Sequence, residues 1–167
     1  MSTEETRAVP TTPEVLVARL NVQICRHSPA SRFITLVYAI YDPLTGALTY
    51  VNAGQNPPLL RRRDGRIERL SGTGIALGLF EQSDYCAVQT VLDPGDMLVF
   101  YSDGITEAED PAGQPFEESG LEATLERHAS RSAIDVGAEV LAAVQAHGRR
   151  AKFADDLTIL VLKRAAA

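Results

Sequence analysis

Residues 98–107 read Leu98-Val-Phe-Tyr-Ser-Asp-Gly-Ile-Thr-Glu107. The apolar and aromatic run predicts a buried strand, and the Asp103-Gly104 pair behind it predicts a turn. A carboxylate at the end of a rigid strand is held in place yet faces solvent or a cleft. That position suits a hard cation such as Mg²⁺ or Mn²⁺. Taken alone, the stretch is explained better as a plain strand-ending turn, because Asp-Gly pairs are common in turns.

A second acidic stretch, Asp155-Asp156, comes directly before another apolar strand, predicted over residues 157–162. The two adjacent carboxylates repel each other unless a cation or hydrogen-bond donors lie between them. A polar loop leading into a strand is the simpler interpretation of this stretch alone. Both acidic stretches lie at the rim of an apolar strand, however, and neighbouring strands would bring them together. The pair therefore indicates a site for a divalent cation that binds phosphate.

The remaining patterns predict an α+β fold. An amphipathic helix is expected to begin at Thr12-Pro13, with the Thr12 hydroxyl as its cap, and to end before Ser28-Pro29. A second helix is expected near 121–128, and a third from Ser132, capped through Asp135, to about residue 148. Strands are predicted at 33–41, 47–52, up to Arg62, 66–70, 85–92, 97–101 and 157–162. Residues 33–41 are apolar almost throughout, so this strand is expected to be buried on both faces.

Composition limits the class of protein. The chain has 167 residues, enough for one domain, and a net charge of −6, which argues against nucleic acid or an anionic membrane as the main partner.

Arg61-Arg62-Arg63 is interpreted as a solvated hairpin end. The N-terminus has neither a basic nor an apolar signal region, so a cytoplasmic location is expected. Cys25 and Cys86 are expected to be reduced core residues.

Several blocks, in order, resemble the bacterial PPM phosphatases of the SpoIIE or "regulator of sigma" type, which act on phosphoserine and phosphothreonine. The resemblance covers about residues 13–163, nearly the whole chain. The blocks are Phe33-Ile-Thr-Leu-Val-Tyr38, Leu48-Thr-Tyr-Val-Asn-Ala-Gly-Gln-Asn-Pro-Pro-Leu-Leu60, Ala76-Leu-Gly-Leu-Phe80, Pro94-Gly-Asp-Met-Leu-Val-Phe-Tyr-Ser-Asp-Gly-Ile-Thr-Glu-Ala108 and Asp155-Asp-Leu-Thr-Ile-Leu-Val-Leu162.

The resemblance implies an α-β-β-α sandwich, two antiparallel sheets face to face with helices outside. It also implies a two-metal Mn²⁺ or Mg²⁺ centre whose bridging water attacks the phosphoryl group, with no protein side chain as nucleophile. Asp103 and Asp155 fall on metal-ligand positions. Asp156 and Gly104 are possible ligands or neighbours. The implied substrate is a phosphorylated anti-sigma-factor antagonist in a stress response, and no residue is assigned to binding it.

The sequence departs from the family pattern in its N-terminal third. Two aspartate-bearing blocks that precede the first helix in the family do not occur in this chain. Residues 13–167 are therefore interpreted as the C-terminal two-thirds of the domain, behind a disordered tail over 1–12. Gln55 stands where histidine is usual, and Glu117 where glycine is usual.

The missing N-terminal blocks leave two functions open and lead to one expectation about the structure. The first function is a phosphatase. The alternative is a catalytically inactive phosphatase-fold module that binds or regulates partners. The strands that this chain lacks are expected to leave apolar sheet surface or a strand edge uncovered, which favours a homodimer or other self-association.

Overall fold

The computed structural model describes residues 11–29, 32–149 and 156–165. Within these ranges four helices and seven strands follow one another as α1 Pro13–His27, β1 Leu36–Tyr41, β2 Ala47–Ala53, β3 Leu59–Arg61, β4 Ile67–Arg69, β5 Val88–Val91, β6 Met97–Tyr101, α2 Asp103–Thr106, α3 Glu117–Arg127, α4 Ala133–His147 and β7 Ile159–Lys163. None of the helices described is long and apolar enough to cross a membrane.

The strands form two antiparallel sheets. One has three strands in the order β1-β2-β5, and the other has four in the order β4-β3-β6-β7. Side chains that alternate along each strand divide the apolar residues between an inner and an outer face. On β6, Leu98 packs between the sheets, whereas Val99 packs on the other face with α3 and α4. The predicted α-β-β-α sandwich is confirmed.

Helix α1 covers the outer face of the three-stranded sheet. Val17 of α1 packs with Val51 and Ala53 of β2 in a third buried cluster. The buried side chain of Asn21 donates to the carbonyl of Phe80 at 2.9 Å and accepts from the Gly78 amide at 2.8 Å. The helix is thereby fixed both to the sheet and to the glycine-rich loop beside it.

The two predicted helix caps have different outcomes. The Ser132 side chain accepts from the Asp135 amide at 3.2 Å and donates to its carboxylate at 2.7 Å, as expected. Thr12 has the extended backbone of a cap residue, but its side chain makes no capping hydrogen bond, so that part of the prediction is wrong. The hydroxyl bonds the Glu14 carboxylate instead, which lowers the pKa of Glu14.

Strand β1 corrects the prediction for residues 33–41. It begins only at Leu36, and none of its residues is fully buried; Ala39 and Ile40 are exposed. The physical reason is its place at the edge of the three-stranded sheet, where β2 is its single neighbour among the described strands. An apolar run in the sequence predicts that a strand is buried, but it does not identify the surface that covers the strand.

Two smaller interpretations also fail. Cys25 and Cys86 are free thiols, but Cys25 is only partly buried and Cys86 is exposed, so neither is a core residue. Arg62 is not a solvated hairpin end: its guanidinium bonds Glu68 and the buried Asp96, each at 2.8 Å. Residues 1–10 of the predicted tail lie outside the described residues.

Candidate functional site

The candidate site lies where β6 ends and β7 begins. These strands are antiparallel neighbours, and Tyr101 opposite Ile159 is the last pair of their ladder. Asp103 follows this pair by two residues, and Asp156 precedes it by three. The topology thus brings the two acidic stretches to the same rim of the four-stranded sheet.

A one-turn helix, α2, holds Asp103. The sequence predicted only a turn here. Ser102 is the cap residue, and the Asp103 carboxylate accepts from the amide of Gly104 at 2.9 Å. Gly104 and Ile105 are buried while Asp103 is exposed, so the carboxylate faces solvent from an anchored backbone.

Ser102 ties the two strand ends together. Its hydroxyl donates to the carbonyl of Asp156 at 3.1 Å and accepts from the amide of Thr158 at 3.0 Å. Its own amide donates to the carbonyl of Thr158, also at 3.0 Å. The hydroxyl is therefore occupied in positioning the start of β7.

Gly104 packs directly against Asp156. A β-carbon placed on Gly104 would lie 2.6 Å from the carbonyl oxygen of Asp156, far inside van der Waals contact. Only glycine lets the two backbones approach this closely, which gives Gly104 a steric role beside the site.

The loop after β2 closes one side of the site. Gln55 donates from its side-chain amide to the carbonyl of Tyr101 at 3.2 Å. The loop itself is held by Asn52, whose buried side chain accepts from the Gln55 amide at 2.9 Å and donates to the Gln55 carbonyl at 3.0 Å. Sequence reasoning noted Gln55 only as a substitution; its contact with the end of β6 depends on tertiary structure.

The described residues of the site include the type of ligand atom that one hard cation prefers. Carboxylate oxygens of Asp103 and Asp156 are the ligand type that Mg²⁺ and Mn²⁺ prefer. The described part of the chain contains no group of three or more His, Cys, Asp or Glu residues placed to hold a metal. The described residues therefore do not make up a two-metal centre. Asp155, the other expected ligand, lies outside the described residues.

A second concavity, of about 850 Å³, lies away from this site around the β3–β4 hairpin. Its central charges pair with one another. Arg62 lies between Glu68 and Asp96, and this hydrogen bonding lowers the pKa of Glu68. The Asp96 carboxylate, 2% exposed, also accepts from the amides of Arg63 and Asp93, each at 2.9 Å. These ion pairs and hydrogen bonds form a network with a structural role.

The model of one protein family, stage II sporulation protein E (SpoIIE), matches residues 2–165. The chain belongs to the SpoIIE family of PP2C-type phosphatase domains. This SpoIIE-family chain is similar in sequence to the phosphoserine phosphatase RsbU of Bacillus subtilis. The two are 31% identical over 159 residues, which cover 91% of this chain and 45% of RsbU.

Solved structures show the same fold. The SiaA-PP2C domain of Pseudomonas aeruginosa is similar with a TM-score of 0.78 at 18% identity, over 92% of this chain and 61% of that one. The RsbU and RsbW domains of Rv1364c from Mycobacterium tuberculosis give 0.70 at 28% identity, over 95% and 43%. This SpoIIE-family chain spans less than half the length of the curated relatives that it matches.

Proposed function

We propose that this chain is a metal-dependent protein phosphatase domain that hydrolyses phosphoserine or phosphothreonine. Membership of the SpoIIE family supports the reaction class. The observation that links the proposal to particular residues is the packing of Gly104 against the Asp156 carbonyl. This packing fixes the end of β6 beside the start of β7. The exposed Asp103 carboxylate lies at this junction.

The proposed cation is Mn²⁺ or Mg²⁺. When bound, it would supply a Lewis acid for the phosphoryl oxygens and a water of lowered pKa as the nucleophile. Asp103 would be one ligand, with Asp155 as the second and Asp156 as its neighbour or substitute.

The other residues of the site act by positioning. Ser102 holds the backbone of Asp156 and Thr158 by hydrogen bonds, and Gln55 holds the end of β6. A ligand carboxylate placed by such contacts loses little freedom on binding, which favours a fixed coordination geometry.

The proposed substrate is a phosphorylated anti-sigma-factor antagonist. The support is the family and its relative RsbU of Bacillus subtilis, a phosphoserine phosphatase. Nucleic acid and membrane are not proposed as partners, because the net charge is −6. We propose a cytoplasmic location in keeping with the two free thiols. Self-association into a homodimer is proposed from the uncovered edge of β1.

An inactive binding module is the second candidate. The observation in its favour is that the described part holds no third acidic residue at the site. A divalent cation held by two carboxylates keeps most of its waters and binds weakly. Such a chain would retain the surfaces that recognise a phosphoprotein without turning it over.

Hydrolysis of p-nitrophenyl phosphate separates the two candidates. The chain is assayed with Mn²⁺, with Mg²⁺ and with EDTA, beside Asp103→Asn and the control Asp64→Asn in the exposed β3–β4 turn. Release of p-nitrophenol that needs the metal, disappears in Asp103→Asn and persists in Asp64→Asn supports the phosphatase. No release by a folded chain contradicts it and leaves the binding module.

A further inference from the structure

The end of β6 has a strand on only one of its two sides, among the strands described. β7 still pairs with Tyr101, the last residue of β6, but the last pair between β3 and β6 is Leu59 opposite Val99. The same register would set Pro57 opposite Tyr101, and neither residue of Pro57-Pro58 has an amide hydrogen to donate to a neighbouring strand. Tyr101 therefore extends two residues beyond β3, where the ladder does not hold it.

Two side-chain contacts take the place of the missing strand. The Gln55 side-chain amide donates to the Tyr101 carbonyl at 3.2 Å, and the Tyr101 hydroxyl donates to the Glu118 carboxylate of α3 at 2.8 Å. Tyr101 is 4% exposed, so water offers its hydroxyl little alternative. A hydrogen bond to a charged acceptor is roughly twice as strong as one between neutral groups. The contact with Glu118 is therefore the stronger of the two.

The Glu118 carboxylate is itself fixed by Arg69 of β4. One oxygen of Glu118 bonds Nε of Arg69, and Nη2 of the same guanidinium bonds Glu122 at 2.6 Å, one turn further along α3. The two acids share one arginine, and of this pair it is Glu118 that bonds Tyr101, through its other oxygen. The pair can therefore separate the effect of the contact with Tyr101 from the general effect of charge on α3.

We infer that the Tyr101 hydroxyl, held by Glu118, positions Asp103 for the proposed cation. Asp103 follows Tyr101 by two residues, and its exposed carboxylate takes its direction from the backbone at the end of β6. Tyr101 and Glu118 are positioning residues, since they act through this backbone and not on the cation or the substrate. The inference rests on the proposed function, in which Asp103 is a ligand. Loss of a residue that orients a metal ligand typically lowers metal affinity by about 10–100-fold.

Binding of Mn²⁺, followed by electron paramagnetic resonance, tests the positioning role. Tyr101→Phe keeps the buried ring and removes the hydroxyl, and Glu118→Ala removes its acceptor. Each is expected to weaken binding by about tenfold. The double variant is expected to lose no more than either, because both changes remove the same interaction. The matched control is Glu122→Ala, which removes the same charge from the same helix and the same arginine, and it is expected to bind like the parent.

Glu118→Gln separates the hydrogen bond from the charge. The amide oxygen of the new side chain can still accept from the Tyr101 hydroxyl, and Arg69 keeps Glu122 as its partner. Binding of Mn²⁺ is expected to remain within about threefold of the parent, because a neutral acceptor keeps roughly half the strength of the bond. Equal losses in Glu118→Gln and Glu118→Ala would assign the effect to charge alone and overturn the inference.

Hydrogen exchange without metal tests the same role independently of the proposed function. The amides of Ser102 and Ile105 are both hydrogen-bonded in the parent chain. They are expected to exchange about tenfold faster in Tyr101→Phe and Glu118→Ala, because the local opening of this segment becomes easier. In Glu122→Ala they are expected to exchange at the rate of the parent.

The two measurements distinguish failure of the inference from failure of the proposed function. Unchanged exchange in Tyr101→Phe overturns the inference, whether or not the chain binds a cation. Saturable Mn²⁺ binding that is equal in the parent and in Tyr101→Phe overturns it as well. A folded parent that binds no Mn²⁺ contradicts the proposed function, and faster exchange in Tyr101→Phe then still supports the positioning of Asp103.

Discussion

The carbonyl oxygen of Asp156 lies 2.6 Å from the place that a β-carbon on Gly104 would occupy. The two acidic stretches, more than fifty residues apart in the chain, therefore meet through direct backbone packing. The hydroxyl of Ser102 bonds the same carbonyl at 3.1 Å, so the contact is held from two positions. This junction explains why a glycine follows Asp103.

Gly104→Ala is expected to separate the two strand ends. The new methyl group would force the Asp156 backbone away by about 1 Å, a shift that costs about 1–3 kcal/mol in a tightly packed place. Because ligand geometry depends on this packing, metal-dependent hydrolysis is expected to fall by at least tenfold. Activity and urea denaturation are measured on the same preparation.

Gly72→Ala is the matched control for that variant. A β-carbon on Gly72 meets no atom within 4 Å, and its φ is not in the left-handed region. Activity and stability are expected to remain those of the parent. If Gly104→Ala behaves like Gly72→Ala, the close approach has no part in the site.

Asp155→Asn and Asp156→Asn distinguish the two adjacent acids. The family resemblance places the ligand at Asp155, and the packing of Gly104 fixes the Asp156 backbone, whatever its side chain is. We therefore expect the larger loss of metal-dependent activity in Asp155→Asn, by at least a hundredfold, because a first ligand and its charge are lost. The reverse order would assign the ligand to Asp156, shifting the register by one residue.

Asp96→Asn is expected to destabilise the β3–β4 hairpin. The Asp96 carboxylate is 2% exposed and bonds the Arg62 guanidinium at 2.8 Å, so neutralising it leaves a largely buried cation short of a partner. The expected loss is about 3 kcal/mol in the free energy of unfolding, measured in urea. Asp64→Asn, at an exposed pair with Arg66, is expected to have a much smaller effect. Equal effects would show that burial of the first pair is unimportant.

Glu117→Gly is expected to stabilise the chain. Glu117 has φ +61°, a left-handed conformation that costs a non-glycine residue about 1 kcal/mol or more. Removing this strain and allowing for the greater freedom of glycine in the unfolded chain leaves a gain of about 0.5–1 kcal/mol. Ala123→Gly, at an exposed position in the middle of α3, is expected to destabilise by about 1 kcal/mol. A loss of stability in Glu117→Gly would contradict the strain argument.

The sequence was sufficient for the elements whose signals are local. Ser132 with Asp135 and Pro13 at the start of α1 mark positions where neighbouring residues determine the backbone. The alternation of Leu98 and Val99 likewise follows from strand geometry alone. Even the position of Glu117 carried a signal, since glycine is usual there and the backbone is left-handed.

What could not be predicted depends on distant partners. The strand at 33–41 was expected to be buried because it is apolar, but burial of β1 needs a covering surface that a local pattern does not specify. The Thr12 hydroxyl bonds the Glu14 carboxylate and accepts from no capping amide, so even a nearby side chain can override a local signal. Gln55 reaches Tyr101 across 46 positions of the chain, a contact that only tertiary structure supplies.

Binding of Mn²⁺ is the most direct test of a cation site at the junction of β6 and β7. Electron paramagnetic resonance measures free Mn²⁺ as the chain, Asp103→Asn and Asp64→Asn are titrated in turn. We expect saturable binding by the parent and by Asp64→Asn, and at least tenfold weaker binding by Asp103→Asn. Absence of saturable binding by the folded parent, or equal binding by Asp103→Asn, would contradict the account.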